Sequence, residues 1–124
     1  MNWSATGAIL LAIAVMLGAF GAHGLRGKID DYSMNVYERA VLYHFLHALG
    51  ILIVSILPRA GILSESRTNW VAGLLCAGIM LFSGSLYVLA ISGVRMLGAV
   101  TPFGGLSFIA AWALLAYWLL RSGR

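Results

Sequence analysis

Two imidazoles stand three residues apart in the run Tyr43-His44-Phe45-Leu46-His47. On a helix, side chains at that spacing share a face, so His44 and His47 can point together into one site. Ala40 leaves room beside them, and Tyr37 continues the same stripe. At 1.5 Å of rise per residue, His44 lies roughly 7 Å deeper along the helix than Arg39, and His47 about 12 Å deeper. The third histidine, His23, stands one turn before Arg26 and can reach a depth similar to that of His44. Glu38, Arg39, Tyr43, Ser83, Ser85, Tyr87, Arg95 and Thr101 complete the set of candidate ligand-binding residues.

Three chemistries suit such a set. Neutral imidazoles of His23, His44 and His47, drawn from two helices, can ligate a transition metal, with Glu38 as a further ligand or as a partner behind the ligands. Histidines on separate helices of a bundle can hold a haem through its axial positions. A chain of His, Glu and Tyr can relay protons, because imidazole titrates near neutral pH. Against all three stands a structural role, in which the histidines hydrogen-bond across helices to Ser83, Ser85 or Tyr87 and hold the bundle together. HxxH is a weak signal, and no CxxC, HExxH or carboxylate pair supports it. No cofactor is therefore assigned. Without a recognisable nucleophile or a paired acid and base, the sequence points away from an enzyme.

The elements that must position these residues are long and apolar. No Asp, Glu, Lys or Arg occurs in Met1 to Leu25, Ala40 to Pro58, Thr68 to Val94 or Met96 to Leu120. A helix of about 20 apolar residues crosses a bilayer, so these stretches predict four spans. The chain is 61% hydrophobic and 10% charged, with a mean hydropathy of +0.94, whereas soluble domains carry about 25% charged residues. The expected fold is all-α, an integral membrane four-helix bundle with helices over about 3–22, 36–57, 69–91 and 102–120, forming one transmembrane domain over 1–124.

Punctuation sets those limits. Gly24 and Gly27 end the first helix; Asn35 and Glu38 read as the capping pair of the second; Pro58 stops it. A short polar connection with Gly61, Ser64, Glu65 and Ser66 makes helices two and three antiparallel neighbours. Thr101-Pro102 opens helix four, where a missing N–H costs nothing. Between them, Ser92 to Val100 forms a short apolar loop in which Gly93 and Gly98 let Arg95 fold back as a lid. The segment Leu25 to Met34, with Asp30 and Asp31, is polar surface. No basic residue precedes the first apolar run, which exceeds the 7 to 15 residues of a signal-peptide core, so it reads as a retained helix. Cys76, the one cysteine, is a packing residue within the third span.

Because successive spans alternate in direction, every candidate residue falls in the half of the bilayer beside the first and third loops. The opposite half reads as almost wholly apolar, with Trp3, Trp70 and Trp118 near span ends as an aromatic belt. The eight Lys and Arg residues lie at span ends rather than in a cluster, which excludes nucleic acid and leaves the lipid bilayer as the partner. Both termini share one side with Arg59, Arg67, Arg121 and Arg124, while Arg26, Lys28, Arg39 and Arg95 lie on the other. With Arg39 and Arg95 read as buried, flanking charge favours cytoplasmic termini. Each of those two either snorkels to phosphate head groups or pairs with Glu38 in a buried network. Small residues recur at Ala14, Gly18 and Ala22 and at Gly73 and Ala77, with Gly7, Gly78, Gly84, Gly104 and Gly105 elsewhere. Such rows let helices approach closely, within one chain or in a homo-oligomer.

Four ordered motifs carry a resemblance across nearly the whole chain: Gly18-Ala19-Phe20-Gly21-Ala22-His23-Gly24-Leu25, Tyr43-His44-Phe45-Leu46-His47-Ala48-Leu49, Leu81-Phe82-Ser83-Gly84-Ser85-Leu86-Tyr87 and Thr101-Pro102-Phe103-Gly104-Gly105. Together they resemble the YgdD-like family of small membrane proteins, a domain of unknown function with bacterial members and a mitochondrial-type relative in animals. The resemblance implies a multi-pass protein of the bacterial inner membrane and no assigned activity, so no catalytic residue is carried over. Its motif positions are His23, His44, His47, Ser83, Ser85, Tyr87, Thr101 and Pro102. The expected role is a non-enzymatic binding or accessory membrane subunit with a polar intramembrane site and a membrane-protein partner. The alternatives are a small solute or proton-coupled transporter or channel, and a haem- or metal-binding redox protein.

Overall fold

The four uncharged stretches become four long helices in a computed structural model that describes residues 1–122; Arg124, counted above among the positive charges, lies outside the described residues. Helix one is α-helical over Trp3–Phe20 and continues through a π-helical turn, Gly21–Leu25. Helix two spans Asp31–Ser55. Helix three runs over Glu65–Ser92, interrupted by a second π-helical turn at Ile79–Ser83. Helix four is Thr101–Ser122, preceded by a 3-10 turn at Arg95–Ala99. All four are long and apolar enough to cross a membrane, and the described residues contain no strand.

Two helices begin one turn earlier than their sequence limits suggest. Helix two is capped by Asp30, whose carboxylate accepts the Ser33 amide at 2.8 Å, so Asn35 lies inside the helix on an exposed face and caps nothing. That amide, with Arg95 nearby, holds the Asp30 carboxyl below the usual carboxylate range. Helix three is capped by Ser64 through the Arg67 amide, at 3.3 Å, which makes Glu65 and Ser66 its first turn rather than part of the connection. An Asp or Ser cap followed by an acidic first-turn residue suits the positive end of the helix dipole. At its far end helix three closes on Gly93, whose φ of 74° only glycine adopts cheaply.

Helices two and three form the central pair, with helix one packed on two and helix four on three. Small side chains set the approach. Gly7, Ala14 and Gly21 are the buried small residues of helix one, and a Cβ on Gly7 would stand 3.0 Å from the Leu52 amide of helix two. Of the expected row Ala14, Gly18 and Ala22, therefore, Ala14 is buried, Gly18 rests against Val41, and Ala22 faces outward. Gly104 of helix four lies directly on the backbone of Leu81 and Phe82. By contrast Gly73 has nothing near its Cβ direction and Ala77 is exposed, so that row lies on the outside of helix three. The main apolar core, around Ile51, Val54, Val71, Leu75 and Phe108, joins helices two, three and four.

Candidate functional site

Helix two presents a continuous buried stripe: Tyr37, Ala40, His44, His47, Ala48 and Ile51. Its three- and four-residue spacing is that of one helix face, and it carries both histidines into the bundle as their spacing requires. His44 is 2% exposed and shares a hydrogen bond of 2.8 Å, through Nδ1, with the Tyr87 hydroxyl of helix three. Its Nε2 is buried without a hydrogen-bond partner, although the Leu10 carbonyl of helix one is near enough to act on the ring. His47 turns the other way. It donates from Nδ1 to the Tyr43 carbonyl one turn back, at 2.8 Å, and lies flat on Phe108 of helix four, ring centres 3.6 Å apart. The two imidazoles thus share a stripe but serve different helix contacts.

The hydroxyls follow the same logic. Ser83, fully buried in the π-helical turn, donates to the Ala40 carbonyl at 2.7 Å. Ser85 places its proton on the Phe82 carbonyl at 3.0 Å and meets the Thr101 hydroxyl at 2.7 Å, which leaves Thr101 as donor in that pair. Tyr37, outside the candidate set, donates across to the Leu17 carbonyl of helix one and packs against Tyr87, ring centres 5.3 Å apart. Tyr43 lies at the edge of the stripe, 4.5 Å from the Phe82 ring. Each of these bonds joins two helices or closes a local turn.

The remaining candidates do not join this group. His23 is exposed. It stands nine residues beyond buried Ala14, and at 100° per residue that places it half a turn from the packed face. Glu38 pairs with Arg26 at 3.1 Å, with the two side chains 52% and 64% exposed, rather than with Arg39 or Arg95 in a buried network. An ion pair so exposed contributes little. Arg39 and Arg95 are themselves exposed, and Arg95 lies over the Tyr32 ring at 4.4 Å, tying the third loop to the start of helix two. Among the described residues no three His, Cys, Asp or Glu side chains converge as metal ligands.

The opposite half is less apolar than its composition suggests. Ser4 and Ser55 share a bond of 2.8 Å, Trp3 donates to the Asn69 side chain at 2.8 Å, and Thr68 is 2% exposed with its hydroxyl unpartnered. These residues line a cavity at that end together with Arg59 and Glu65. Single Ser, Thr and Asn residues on three separate helices make no local pattern, so no sequence signal pointed to them. At that end Trp70 is exposed and Trp118 lies under Arg67 at 5.6 Å.

Residues 17–105 match the family model described as a protein of unknown function, DUF423. The chain belongs to that family. The matched segment opens at Leu17, whose carbonyl receives Tyr37, and closes beside the Gly104 contact, so it contains the whole polar half of the bundle. Among curated proteins, the UPF0382 membrane protein of Staphylococcus haemolyticus is 49% identical over 109 residues, covering 88% of this chain and 87% of the relative. The UPF0382 membrane protein YwdK of Bacillus subtilis is 49% identical over 111 residues, covering 88% of each. No solved structure matches the chain. It is an integral membrane protein with four spans in a family whose molecular function is unknown.

Proposed function

We propose that the chain is a non-enzymatic accessory subunit of the bacterial inner membrane, both termini cytoplasmic, whose polar half holds the bundle rigid while an outer face receives a partner. The observation that carries this reading is the use of the polar groups: His47, Ser83, Ser85, Thr101, Tyr37 and Tyr87 spend their hydrogen bonds on this chain's own helices. Ionisable residues inside a membrane are functional candidates by default, but here their hydrogen bonds provide interhelical contacts. The partner face is the outside of helix three. There Gly73 lies open beside Asn69, Trp70 and Leu74 in a groove of about 540 Å³, and a small-residue face of this kind accepts a second helix, from another membrane protein or another copy. The narrower kinship with YgdD-like proteins belongs to the same proposal and rests on the four motifs.

The test is purification of the full chain from its own membranes in mild detergent, beside a Gly73→Leu variant. The expected result is a larger assembly that Gly73→Leu dissociates without lowering thermal stability, since no side chain of this chain occupies that space. A Soret band, or metal at one equivalent per chain, would overturn the reading. A second reading is favoured by one atom, the buried and unpartnered Nε2 of His44: an imidazole with a free nitrogen beside Tyr87 is what a proton relay needs. Proton flux in liposomes that His44→Gln abolishes would favour that reading instead.

A further inference from the structure

Tyr32, Asn35, Val36 and Arg39 recur at the spacing of one helix face, and that face of helix two lines an open groove of about 500 Å³. Phe82 and Leu86, one turn apart on helix three, form the facing wall, and Thr101 stands where helix four begins. The volume falls within the roughly 300–1,000 Å³ of small-molecule sites. Arg39 takes no part in the polar network described above, and of the groove's lining only Thr101 belongs to it, through Ser85.

Charge distinguishes this groove from an ordinary lipid-facing furrow. Arg26 is neutralised by Glu38 at 3.1 Å. Arg95 lies on the Tyr32 ring at the groove mouth, and its charge reaches Asp30. Arg39 has no hydrogen bond or ion pair among the described residues, yet it stands eight residues into helix two, about 12 Å along it from Asp31. Arg39 directly precedes the uncharged run Ala40 to Pro58, at the span end where a basic side chain reaches lipid phosphates, and its planar fork matches two phosphate oxygens at once. Phe82, ten residues before the end of helix three at Ser92, lies about 15 Å along that helix from its end, so the groove continues as an apolar wall past the level of Arg39. A cation with an apolar track running inward from it fits a molecule with a phosphate at one end and a hydrocarbon chain at the other.

We propose that this groove binds one anionic phospholipid, its phosphate on Arg39 and an acyl chain along Leu86 and Phe82. A zwitterionic head group would bring its own ammonium toward Arg95 at the mouth. Phosphatidylglycerol leaves the charge of Arg39 balanced and offers its hydroxyls to Asn35 and Thr101. The site stands independently of the accessory-subunit reading, since it lies on the opposite end of helix three from Gly73 and shares with that reading only Thr101, whose proton stays on Ser85.

Native mass spectrometry of the full chain, released from detergent with added phosphatidylglycerol or phosphatidylcholine, tests this directly. Wild-type protein is expected to retain one phosphatidylglycerol in preference to phosphatidylcholine. Arg39→Gln should lower phosphatidylglycerol affinity about fivefold, which converts to ~1 kcal/mol, the size of one basic residue at an anionic membrane surface, and should leave phosphatidylcholine unchanged. Arg59→Gln, on the other side of the membrane, should change neither. Thermal unfolding verifies that Arg39→Gln folds; if it does not, Val36→Trp, which fills the groove with Arg39 intact, decides the matter by losing the bound lipid. Equal retention of the two lipids by wild type, an Arg39→Gln protein that keeps the preference, or full displacement of lipid by inorganic phosphate would each overturn the proposal.

Discussion

His44 reads most directly as a helix connector, because its Nδ1 meets Tyr87 at 2.8 Å while the ring is 2% exposed. Removing the Tyr87 hydroxyl leaves a buried imidazole without a partner on either nitrogen. Interhelical hydrogen bonds in membranes average about 0.6 kcal/mol and reach about 1.7, and an unpaired buried group adds a penalty of its own. Tyr87→Phe is therefore expected to cost ~1 kcal/mol of stability in detergent, and adding His44→Leu should recover part of that loss. A double-mutant cycle by thermal unfolding measures the coupling, and strictly additive effects would remove His44 from this role. The spacing of His44 and His47 was legible in sequence because three residues is a fixed helix offset. That His47 would stack on Phe108, and that Tyr37 would reach the Leu17 carbonyl, was not, since both contacts depend on how neighbouring helices are placed.

Helix ends and interruptions separate what local sequence determines from what packing determines. The spans themselves follow from apolar length, but Asp30 precedes an equally plausible cap, Asn35, and Ser64 lies in a polar stretch that reads as a connection. Neither π-helical turn was anticipated. Gly21–Leu25 lies within the first motif and Ile79–Ser83 overlaps the start of the third, and such turns often mark functional segments. The second one places Ser83 under the Ala40 carbonyl and sets Phe82 against helix four. Gly104 is the position most sensitive to this geometry: an added Cβ would stand 2.7 Å from the Phe82 Cβ and 2.8 Å from the Leu81 carbonyl carbon. Backbone cannot yield as a flexible side chain does, so Gly104→Ala should destabilise the bundle by about 1–3 kcal/mol, the usual cost of overpacking. Gly105→Ala, with its nearest neighbour 3.9 Å away, serves as control. Equal melting temperatures for the two variants would show that helices three and four are not held this closely.

Across the whole molecule, orientation turns on which positive charges belong to loops. Arg39 and Arg95, which read from sequence as buried, are both exposed. They now separate for a different reason. Arg39 belongs to helix two rather than to a loop, whereas Arg95 sits in the 3-10 turn between helices three and four and counts. The side of the first and third loops then carries Arg26, Lys28 and Arg95 against Arg59, Arg67, Arg121 and Arg124 on the terminal side. A margin of one charge is small, but Lys and Arg near span ends are what the orientation rule weighs, and carboxylates such as Glu38 count for little. Termini in the cytoplasm are therefore expected. A fluorescent protein fused to the C-terminus should fluoresce, and alkaline phosphatase fused at the same place should stay inactive. Because the margin is so narrow, the double variant Arg59→Ser with Arg67→Ser should yield a mixed or inverted population. A wild-type fusion with active phosphatase and a dark fluorescent protein would place the termini outside, and with them the Trp3–Asn69 end; the histidine-bearing half and the Arg39 groove would then face the cytoplasm.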